Sequence, residues 1–596
     1  MEKTLDRPGS RLPAWARGWP RRRVLGAALV VVLVVVLAVS CSSAGGRADV
    51  PVLADGADAG VDGVRSPSDR TGGTLRVVAP GIVSLDPQRS YQPGVWNLMR
   101  LYTRTLVTYS TEPGHTDELV PDLATDLGTP SKDGRTWKFT LRKGIRFENG
   151  RPITSRDVKY GIERSFASEV VVGGPTYVFD LFDDPANPYP GPYQDETRDK
   201  LGLGAIATPD DRTIVFTLRG AQPDFQFVMA LPSSSPVPAD DDTKGKYGDD
   251  PMSSGPYAIT SVDRATGILL ERNPEWDPAT DDVRSALPDR VVVRTGLTGV
   301  ERDQAILAGS ADVDLSGTGA QPVTTARLSG EDGSALRDRV DEITSGAVRL
   351  LALPTDVAPM DNADCRAAVT AAIDRRALQD LLGGAADAVR SSQLWPLALP
   401  GGPEDPDPPA DLKAARASLE ECGQAEGFTT ELAVVNTPTS LALARGIADQ
   451  LAEVGITVKV RALDVETFYA TEVGDPANVA KKGYGLVLVP WTADFPTASS
   501  FLVPLVDGRS IRSVANTNYA RLNDRAVNAL VDEARGTADP ADATGAWRKV
   551  AAAARATSAY LPLAETRVQL LAGQRLHNGL VMQPYSGYDL ATAGVR

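Results

Sequence analysis

The feature that most constrains the fold is a continuous apolar run that follows Tyr484 and ends at Pro490. A run of about six apolar residues between Gly483 and a proline predicts a strand buried on both faces, as in a parallel α/β sheet. Ligands of open α/β sheets bind beyond the carboxyl ends of the strands, and Trp491 and Asp494 come directly after this strand. An aromatic ring and a fixed negative charge suit a cationic or amine-bearing ligand. A core tryptophan and a helix-capping aspartate are the structural alternative.

Length and charge narrow the class of protein. The chain has 596 residues, enough for several domains or two large lobes. Its formal net charge is −15; residues 1–23 carry +5, so the remainder carries −20. Because phosphate-backbone binding needs clustered Lys and Arg, we expect no nucleic-acid partner. An acidic surface instead favours cationic or zwitterionic ligands.

The amino terminus predicts export and a membrane anchor. Arg21, Arg22 and Arg23 precede sixteen uncharged, mostly apolar residues at 24–39, and Cys41 follows. This order predicts a signal peptide over residues 1–40 and lipidation at Cys41. An uncleaved anchor is the alternative, although the apolar stretch is shorter than the ~20 residues of a spanning helix.

Residues 41–73 are rich in Gly, Ala, Asp, Ser and Pro without periodicity, which predicts a lipidated, disordered tether. The body of the protein would then lie at the outer face of the cytoplasmic membrane. No later segment is long and apolar enough to predict a membrane span.

Several elements of the body follow from hydrophobic periodicity. The predicted strands of the first half are 75–79 and 136–141, with helices over 95–106 and after Thr154. In the second half we expect strands at 348–353, 429–435 and 456–463, helices at 366–382 and 441–453, and a last strand through Val568 and Leu570. The segments 429–435, 441–453 and 456–463 form a βαβ unit, which should cross over right-handedly.

Five motifs resemble one known family in their order along the chain. They are Ser84-Leu-Asp-Pro87, Pro121-Asp-Leu-Ala124, Phe139-Thr-Leu-Arg-Lys-Gly-Ile-Arg-Phe-Glu-Asn-Gly150, Thr154-Ser-Arg-Asp-Val158 and Ser254-Gly-Pro-Tyr257. The chain thereby resembles the family 5 extracytoplasmic solute-binding proteins, the oligopeptide, dipeptide and nickel class of bacterial ABC importers. Gly, Pro and Asn in these motifs suit turns and caps, so the motifs identify the scaffold and need not contact ligand.

The resemblance implies a fold and domain boundaries. The fold class is α/β: a two-lobed periplasmic-binding-protein-like fold (type II), with mixed sheets flanked by helices, two crossover strands and an extra subdomain in the first lobe. Lobe 1 would span residues 74–347 with the subdomain at about 110–205, lobe 2 would span 348–565, and 566–596 would return to lobe 1.

The resemblance also implies ligand contacts. Trp491-Thr-Ala-Asp494 matches the family's Trp-x-x-Asp segment, whose acidic residue holds the ligand's α-ammonium in peptide-binding members. Trp395 falls in the loop that borders the cavity in relatives, with core packing as the alternative. Tyr91 is a further candidate ligand contact.

Cys365 and Cys422 are the only thiols after Cys41. In an oxidising compartment we expect them to form a disulfide; two buried free thiols are the alternative. With only His115 and His577 beside them, no metal-ligand spacing exists. We therefore expect no metal and no cofactor.

The sequence lacks the motifs of hydrolysis or group transfer: a Gly-x-Ser-x-Gly, a His-Glu-x-x-His or a Walker loop. We therefore expect no enzyme but a monomeric, lipid-anchored binding protein. It would capture a small solute, most simply a peptide, and deliver it to an ABC permease with its ATPase subunits. Two alternatives remain: a sensor that presents solute to a signalling partner, and an acidic extracellular hydrolase.

Overall fold

The computed structural model describes residues 53–54, 56–184, 186–263, 267–329, 333–399, 401–402, 407–537 and 540–596. The predicted signal peptide and Cys41 lie outside these residues. The strands are β1 Leu53–Ala54, β2 Val64–Arg65, β3 Thr74–Val78, β4 Val107–Tyr109, β5 Leu119–Pro121, β6 Thr129–Pro130, β7 Thr136–Thr140, β8 Ile206–Asp210, β9 Thr213–Thr217, β10 Tyr257–Asp263, β11 Gly267–Arg272, β12 Arg290–Arg294, β13 Val313–Asp314, β14 Val340–Ala352, β15 Ala388–Arg390, β16 Thr429–Val435, β17 Thr457–Leu463, β18 Tyr484–Trp491, β19 Tyr560–Leu571, β20 Leu576–His577, β21 Val581–Met582, β22 Gly587–Tyr588 and β23 Gly594–Val595. The helices are α1 Ala59–Asp62, α2 Pro93–Met99, α3 Ser155–Arg164, α4 Tyr177–Phe182, α5 Phe225–Val228, α6 Gly299–Leu307, α7 Pro322–Ser329, α8 Ser334–Arg337, α9 Ala363–Ala372, α10 Arg375–Leu381, α11 Leu412–Glu421, α12 Pro438–Ala452, α13 Val465–Thr467, α14 Pro476–Lys482, α15 Ala498–Val506, α16 Arg525–Arg535 and α17 Pro540–Ala556.

Three sheets organise the described residues. A five-stranded sheet, in the order β10-β11-β12-β3-β13, packs its core with residues from the end of the chain such as Val568 and Leu590. A six-stranded sheet has the order β15-β19-β14-β18-β16-β17, and a four-stranded antiparallel sheet has the order β6-β7-β9-β8. We call these sheets with their cores lobe 1, lobe 2 and the insert, respectively. The exact boundaries at 74, 348 and 566 stay predictions.

The apolar run that follows Tyr484 forms β18, which continues one residue past Pro490. It pairs in parallel with β16 and antiparallel with β14, so the sheet is mixed. Val487 and Val489 join the hydrophobic cluster on one face of the sheet, whereas Leu486 and Leu488 join the cluster on the other. The predicted burial on both faces is therefore confirmed, and the carboxyl end of β18 delivers Trp491.

Two long strands connect the lobes. β14 has 13 residues and β19 has 12, and they pair antiparallel over most of their length. In β14, Ile343 belongs to the lobe 1 core and Leu350 to a lobe 2 cluster. The pairing register shifts between Thr344 and Val348, where Gly346 adopts a φ of +71°. This irregularity lies between the two cores, where a hinge would have to bend.

The predicted tether is partly wrong. Residues 56–65 are not disordered, because they pack against the start of β14: the Asp58 amide donates to the Val340 carbonyl at 2.9 Å and the Gly60 amide donates to Asp341 at 2.7 Å. Arg65 forms an ion pair of 2.8 Å with the fully buried Asp341 carboxylate. Composition alone misses this contact, because its partner lies 276 residues further along the chain.

Two predicted helices differ from the structure: one ends early and the other is divided. The helix expected over 95–106 stops at Met99; the Leu101 carbonyl accepts from the Tyr257 amide, and the Tyr102 carbonyl accepts from the Ser254 and Gly255 amides. The helix expected over 366–382 divides into α9 and α10, because an aspartate caps the second helix by accepting from the Arg376 amide. Ser, Asp and Asn compete with helical bonding in this way.

A disulfide joins Cys365, in the first turn of α9, to Cys422, directly after α11, 57 residues further along the chain. The bridge ties together two helices that pack on one face of the lobe 2 sheet.

Candidate functional site between the lobes

The Asp494 carboxylate lies in the contact between the lobes. It lies three residues beyond β18, and Asp494 is 7 % exposed. Its Oδ2 atom accepts hydrogen bonds from the Tyr91 hydroxyl and the Tyr177 hydroxyl, both at 2.6 Å. Its Oδ1 atom accepts no hydrogen bond from the part of the chain that the structure describes. One oxygen is therefore fixed by two donors, and the other keeps its acceptor capacity.

The two tyrosines come from elements on the opposite side of the cleft. Tyr91 lies just before α2 and stacks on Trp96 of the lobe 1 core, with ring centroids 5.6 Å apart. Tyr177 begins α4 and packs against the cores of lobe 1 and the insert. Asp494 thus bonds across the interlobe contact, and the predicted candidates Asp494 and Tyr91 come together there.

The Asp494 carboxylate has hydrogen-bond donors but no positive charge to balance it among the described residues. Burial raises the pKa of Asp494 to about 6, while the hydrogen bonds from Tyr177 and Tyr91 oppose the rise. Burial and the nearby carboxylate raise the pKa of both tyrosines well above the ordinary value, so the hydroxyls remain donors. No cation bonds to Asp494 among the described residues. A buried carboxylate without a cation is costly, and an ammonium or guanidinium group supplied by a ligand would relieve that cost.

Aromatic rings surround the carboxylate. Phe495 stacks on Phe227 at 5.6 Å and contacts Tyr177 at 5.4 Å, and it belongs to the insert core. Trp491 is partly exposed; its indole N–H donates to the Phe501 carbonyl at 2.9 Å. Because that N–H is already bonded, Trp491 can offer a ligand only its ring. Flat apolar rings beside a single acid fit an amine on an organic solute.

Trp395 packs in the core of lobe 2. Trp395 is 3 % exposed, and its indole N–H donates to the Leu399 carbonyl at 3.4 Å. It packs in the same cluster as Val487 and Val489. Of the two alternatives for this residue, core packing is the one that the structure has.

Several contacts across the cleft carried no sequence signal. Ser499 donates a hydrogen bond to Asp224 at the start of α5, and burial raises the pKa of that carboxyl. Arg512 forms an exposed ion pair with Asp180 at 2.7 Å. Asp180 also lines a cleft of about 330 Å³ whose other wall belongs to lobe 2. Tyr177 likewise lies in no motif and is 317 residues from its partner, so only the folded chain brings these residues together.

The recognised motifs hold lobe 1 and the insert in shape. The fully buried Arg164 guanidinium bonds to both oxygens of Asp86 at 3.0 Å, fixing the Ser84-Leu-Asp-Pro87 loop. Asp122 pairs with Arg104 at 2.6 Å and Arg284 at 2.8 Å. These buried, fully paired groups support the structural interpretation of the motifs.

The described residues contain neither a candidate membrane span nor a candidate metal cluster. None of the helices there is both long enough and apolar enough to span a bilayer. Within the same residues, no group of three or more His, Cys, Asp or Glu side chains is placed to hold a metal ion.

Comparison with known proteins gives consistent matches. The model of the family described as "Bacterial extracellular solute-binding proteins, family 5 Middle" matches residues 118–513. Di/tripeptide-binding protein 4 of Pseudomonas aeruginosa (strain UCBPP-PA14) is 25 % identical over 513 residues, covering 81 % of this chain and 88 % of the relative. The solved structure of clavulanic acid biosynthesis oligopeptide binding protein 2 is 40 % identical with a TM-score of 0.86, covering 91 % of this chain and 99 % of that one. DppA from Helicobacter pylori, solved with the peptide STSA, shares the fold with a TM-score of 0.69 at 21 % identity over 87 % of this chain and 98 % of its own. The predicted two-lobed periplasmic-binding-protein fold is confirmed.

Proposed function

Because the chain belongs to the family 5 bacterial extracellular solute-binding proteins, we propose that it captures a peptide between its lobes and delivers it to an ABC permease served by ATPase subunits. The relatives named for peptides support this choice of solute, as do the acid and the aromatic rings that meet between the lobes. The family is extracytoplasmic, and the bridge between Cys365 and Cys422 suits an oxidising compartment.

The single observation that carries the proposal is the Asp494 carboxylate. It is buried, it is oriented by two hydroxyls, and its Oδ1 atom is unused within the described residues. The α-ammonium of a peptide would donate to Oδ1 and neutralise the charge. A charge-assisted hydrogen bond of this kind contributes about 1.5–3 kcal/mol.

The same contact explains how solute would favour the closed form. Tyr91 and Tyr177 bond to Asp494 from across the cleft, so a ligand on Asp494 would interact with both lobes only when they are closed. A ligand shifts a conformational equilibrium by its differential affinity for the two states. The permease would then distinguish closed, loaded protein from open protein.

We propose that Cys41 is lipidated, that the protein acts as a monomer at the outer face of the membrane, and that the solute leaves unaltered. The basic and apolar segments before Cys41 support the anchor. Metabolic labelling with a fatty acid would test it, and a Cys41→Ser variant that keeps the label would contradict it.

Calorimetry with short peptides tests the capture of peptide. We expect one peptide per protein, recovery of intact peptide by mass spectrometry, and at least tenfold weaker binding of the N-acetylated peptide. Asp494→Asn should lose the preference for the free amine. Cleavage of the peptide, or equal affinity for free and acetylated peptides, would contradict the proposal.

A further inference from the structure

Arg349 lies at the ligand-facing edge of the lobe 2 sheet. It is opposite Pro490 of β18 and Ala564 of β19 in the register of β14. Because β14 runs antiparallel to β18, and β18 is parallel to β16, this position is at the carboxyl ends of the parallel strands. Trp491 follows Pro490 directly. Arg349 thus shares the edge from which Asp494 emerges, the edge where ligands of such sheets bind.

The Arg349 guanidinium is unpaired within the described residues. It forms no hydrogen bond and no ion pair with any residue that the structure describes, and its Nε atom is buried and unbonded. Burial lowers the pKa of Arg349, and the Tyr469 hydroxyl only partly opposes this effect. Buried arginines of the described residues do have partners: Arg164 and Arg284 bond directly to carboxylates, and Arg366 donates to backbone carbonyls. Arg349 is only partly buried, and a guanidinium at this edge without a carboxylate partner among the described residues is available to an anionic group of the solute.

The sheet explains why no carboxylate of the chain reaches Arg349. Glu565 is the acidic residue nearest in register, opposite Val348, and successive residues of a strand point to opposite faces. Glu565 instead accepts hydrogen bonds from the Leu397 and Ala398 amides, at distances up to 3.3 Å. The neighbours directly opposite Arg349, Pro490 and Ala564, carry no charge.

We propose that Arg349 determines specificity by binding an anionic group of the solute, a carboxylate for a peptide. A guanidinium offers a planar pair of donors that matches a carboxylate. Asp494 would take the cationic end and Arg349 the anionic end, so the site would select zwitterionic solutes. This inference rests on the proposed function and adds to it a second recognition point.

Calorimetry on the full chain with three probes tests the inference: trialanine, trialanine amide and N-acetyl-trialanine. We expect wild-type protein to bind the acid at least tenfold more tightly than the amide. Arg349→Met should bind acid and amide equally while still discriminating against the acetylated peptide. Arg349→Lys should keep part of the preference for the acid. Asp494→Asn is the matched control, with lost amine discrimination and retained acid discrimination.

The outcomes are separable. If Arg349→Met keeps the wild-type preference for the acid, or if wild-type protein does not discriminate acid from amide, the inference is wrong and the proposed function stands. If wild-type protein binds none of the three probes, the proposed peptide function fails. The role of Arg349 is then tested with the solute that co-purifies with the wild-type protein. The inference is wrong if that solute has no anionic group, or if Arg349→Met binds an anionic solute as tightly as wild type does. Thermal unfolding checks the fold of each variant, and Arg349→Met should unfold no earlier than wild type, since no bond is lost.

Discussion

At the scale of single residues, the Asp494 carboxylate destabilises the ligand-free fold but is the group that we expect to bind the solute. Its pKa is raised to about 6, whereas an unfolded chain gives about 3.9. A carboxyl whose pKa is raised on folding destabilises the ligand-free protein above pH 6, and this penalty is lost as pH falls toward 3.9. We expect Asp494→Asn to stabilise the ligand-free protein at pH 7 by on the order of 2 kcal/mol.

Denaturant unfolding of wild type and Asp494→Asn at pH 7 and pH 4.5 measures this effect. The gain should shrink at the lower pH. If the variant is less stable than wild type at pH 7, interactions within the folded protein outweigh the unfavourable free energy of burying the charged carboxylate, and the prediction is wrong.

The hydroxyls that orient Asp494 should affect binding separately. In Tyr177→Phe, Oδ2 keeps only the bond from Tyr91, so peptide affinity should fall about fivefold, the equivalent of roughly 1 kcal/mol for one hydrogen bond. Tyr193→Phe is the control, because that hydroxyl bonds to Asp242 within the first half of the chain. Equal affinity of both variants for peptide would contradict a role for Tyr177.

The residues of the site were only partly predictable. Asp494 follows a strongly apolar strand, so its place at the sheet edge could be derived from local pattern. Tyr177 and Arg349 could not, since their importance depends on partners, or on the lack of partners, hundreds of residues away. Local pattern also could not decide between the two environments considered for Trp395.

At the scale of elements, the crossing strand β14 has its irregular point at Gly346. Its φ of +71° is unfavourable for other residues, although a Cβ there would have room, 3.6 Å from Ala398 and 3.7 Å from Thr492. Gly346→Ala should therefore destabilise the protein by about 1 kcal/mol through backbone strain alone. Gly545→Ala is the matched control: Gly545 is exposed within α17 with no atom near its Cβ position, so the same change should stabilise by about 0.5–1 kcal/mol. Equal effects in urea unfolding would contradict the strain at β14.

The disulfide is an element-scale constraint on lobe 2. Removing it with Cys365→Ser and Cys422→Ser together should lower the free energy of unfolding by about 4 kcal/mol for a loop of this length in the chain-entropy model. Peptide affinity should not change, because the bridge joins α9 to the end of α11 rather than any residue near Asp494. A large loss of affinity in a folded double variant would contradict this separation.

The strands were predicted better than the helices. Strand burial leaves a local signature in runs such as Leu486 to Val489, whereas the end of α2 depends on amides at 254–257 that take its following carbonyls. An aspartate marks the break between α9 and α10 in the sequence. The helical pattern of the apolar residues on both sides of it nevertheless predicted one continuous helix.

At the scale of the whole molecule, the family resemblance predicted two lobes and two crossing strands, and composition misjudged the segment before them. Residues 56–65 bond to β14 through Asp341, at the lobe 1 end of that strand. The polar contacts across the cleft are few: Tyr91 and Tyr177 to Asp494, Ser499 to Asp224, and Arg512 to Asp180. Phe495 adds an apolar contact with Phe227. An exposed pair such as Arg512 and Asp180 contributes little, so the polar part of closure without ligand depends on the buried Asp494 and the partly buried Asp224.

Lowering the pH should therefore increase the population of the closed form in the ligand-free protein. The pKa values of Asp494 and Asp224 are raised where the lobes meet, and opening would return both groups to water and toward their ordinary pKa values near 3.9. Since the closed form binds protons more tightly, lowering the pH from 7.5 to 5 should shift the population toward it. Small-angle X-ray scattering should show a smaller radius of gyration at pH 5 for wild type and a nearly constant radius for the Asp494→Asn, Asp224→Asn double variant. A wild-type radius that stays constant or grows on acidification would mean that these carboxyls keep the same environment in both forms, and closure would then have to be driven by the solute alone.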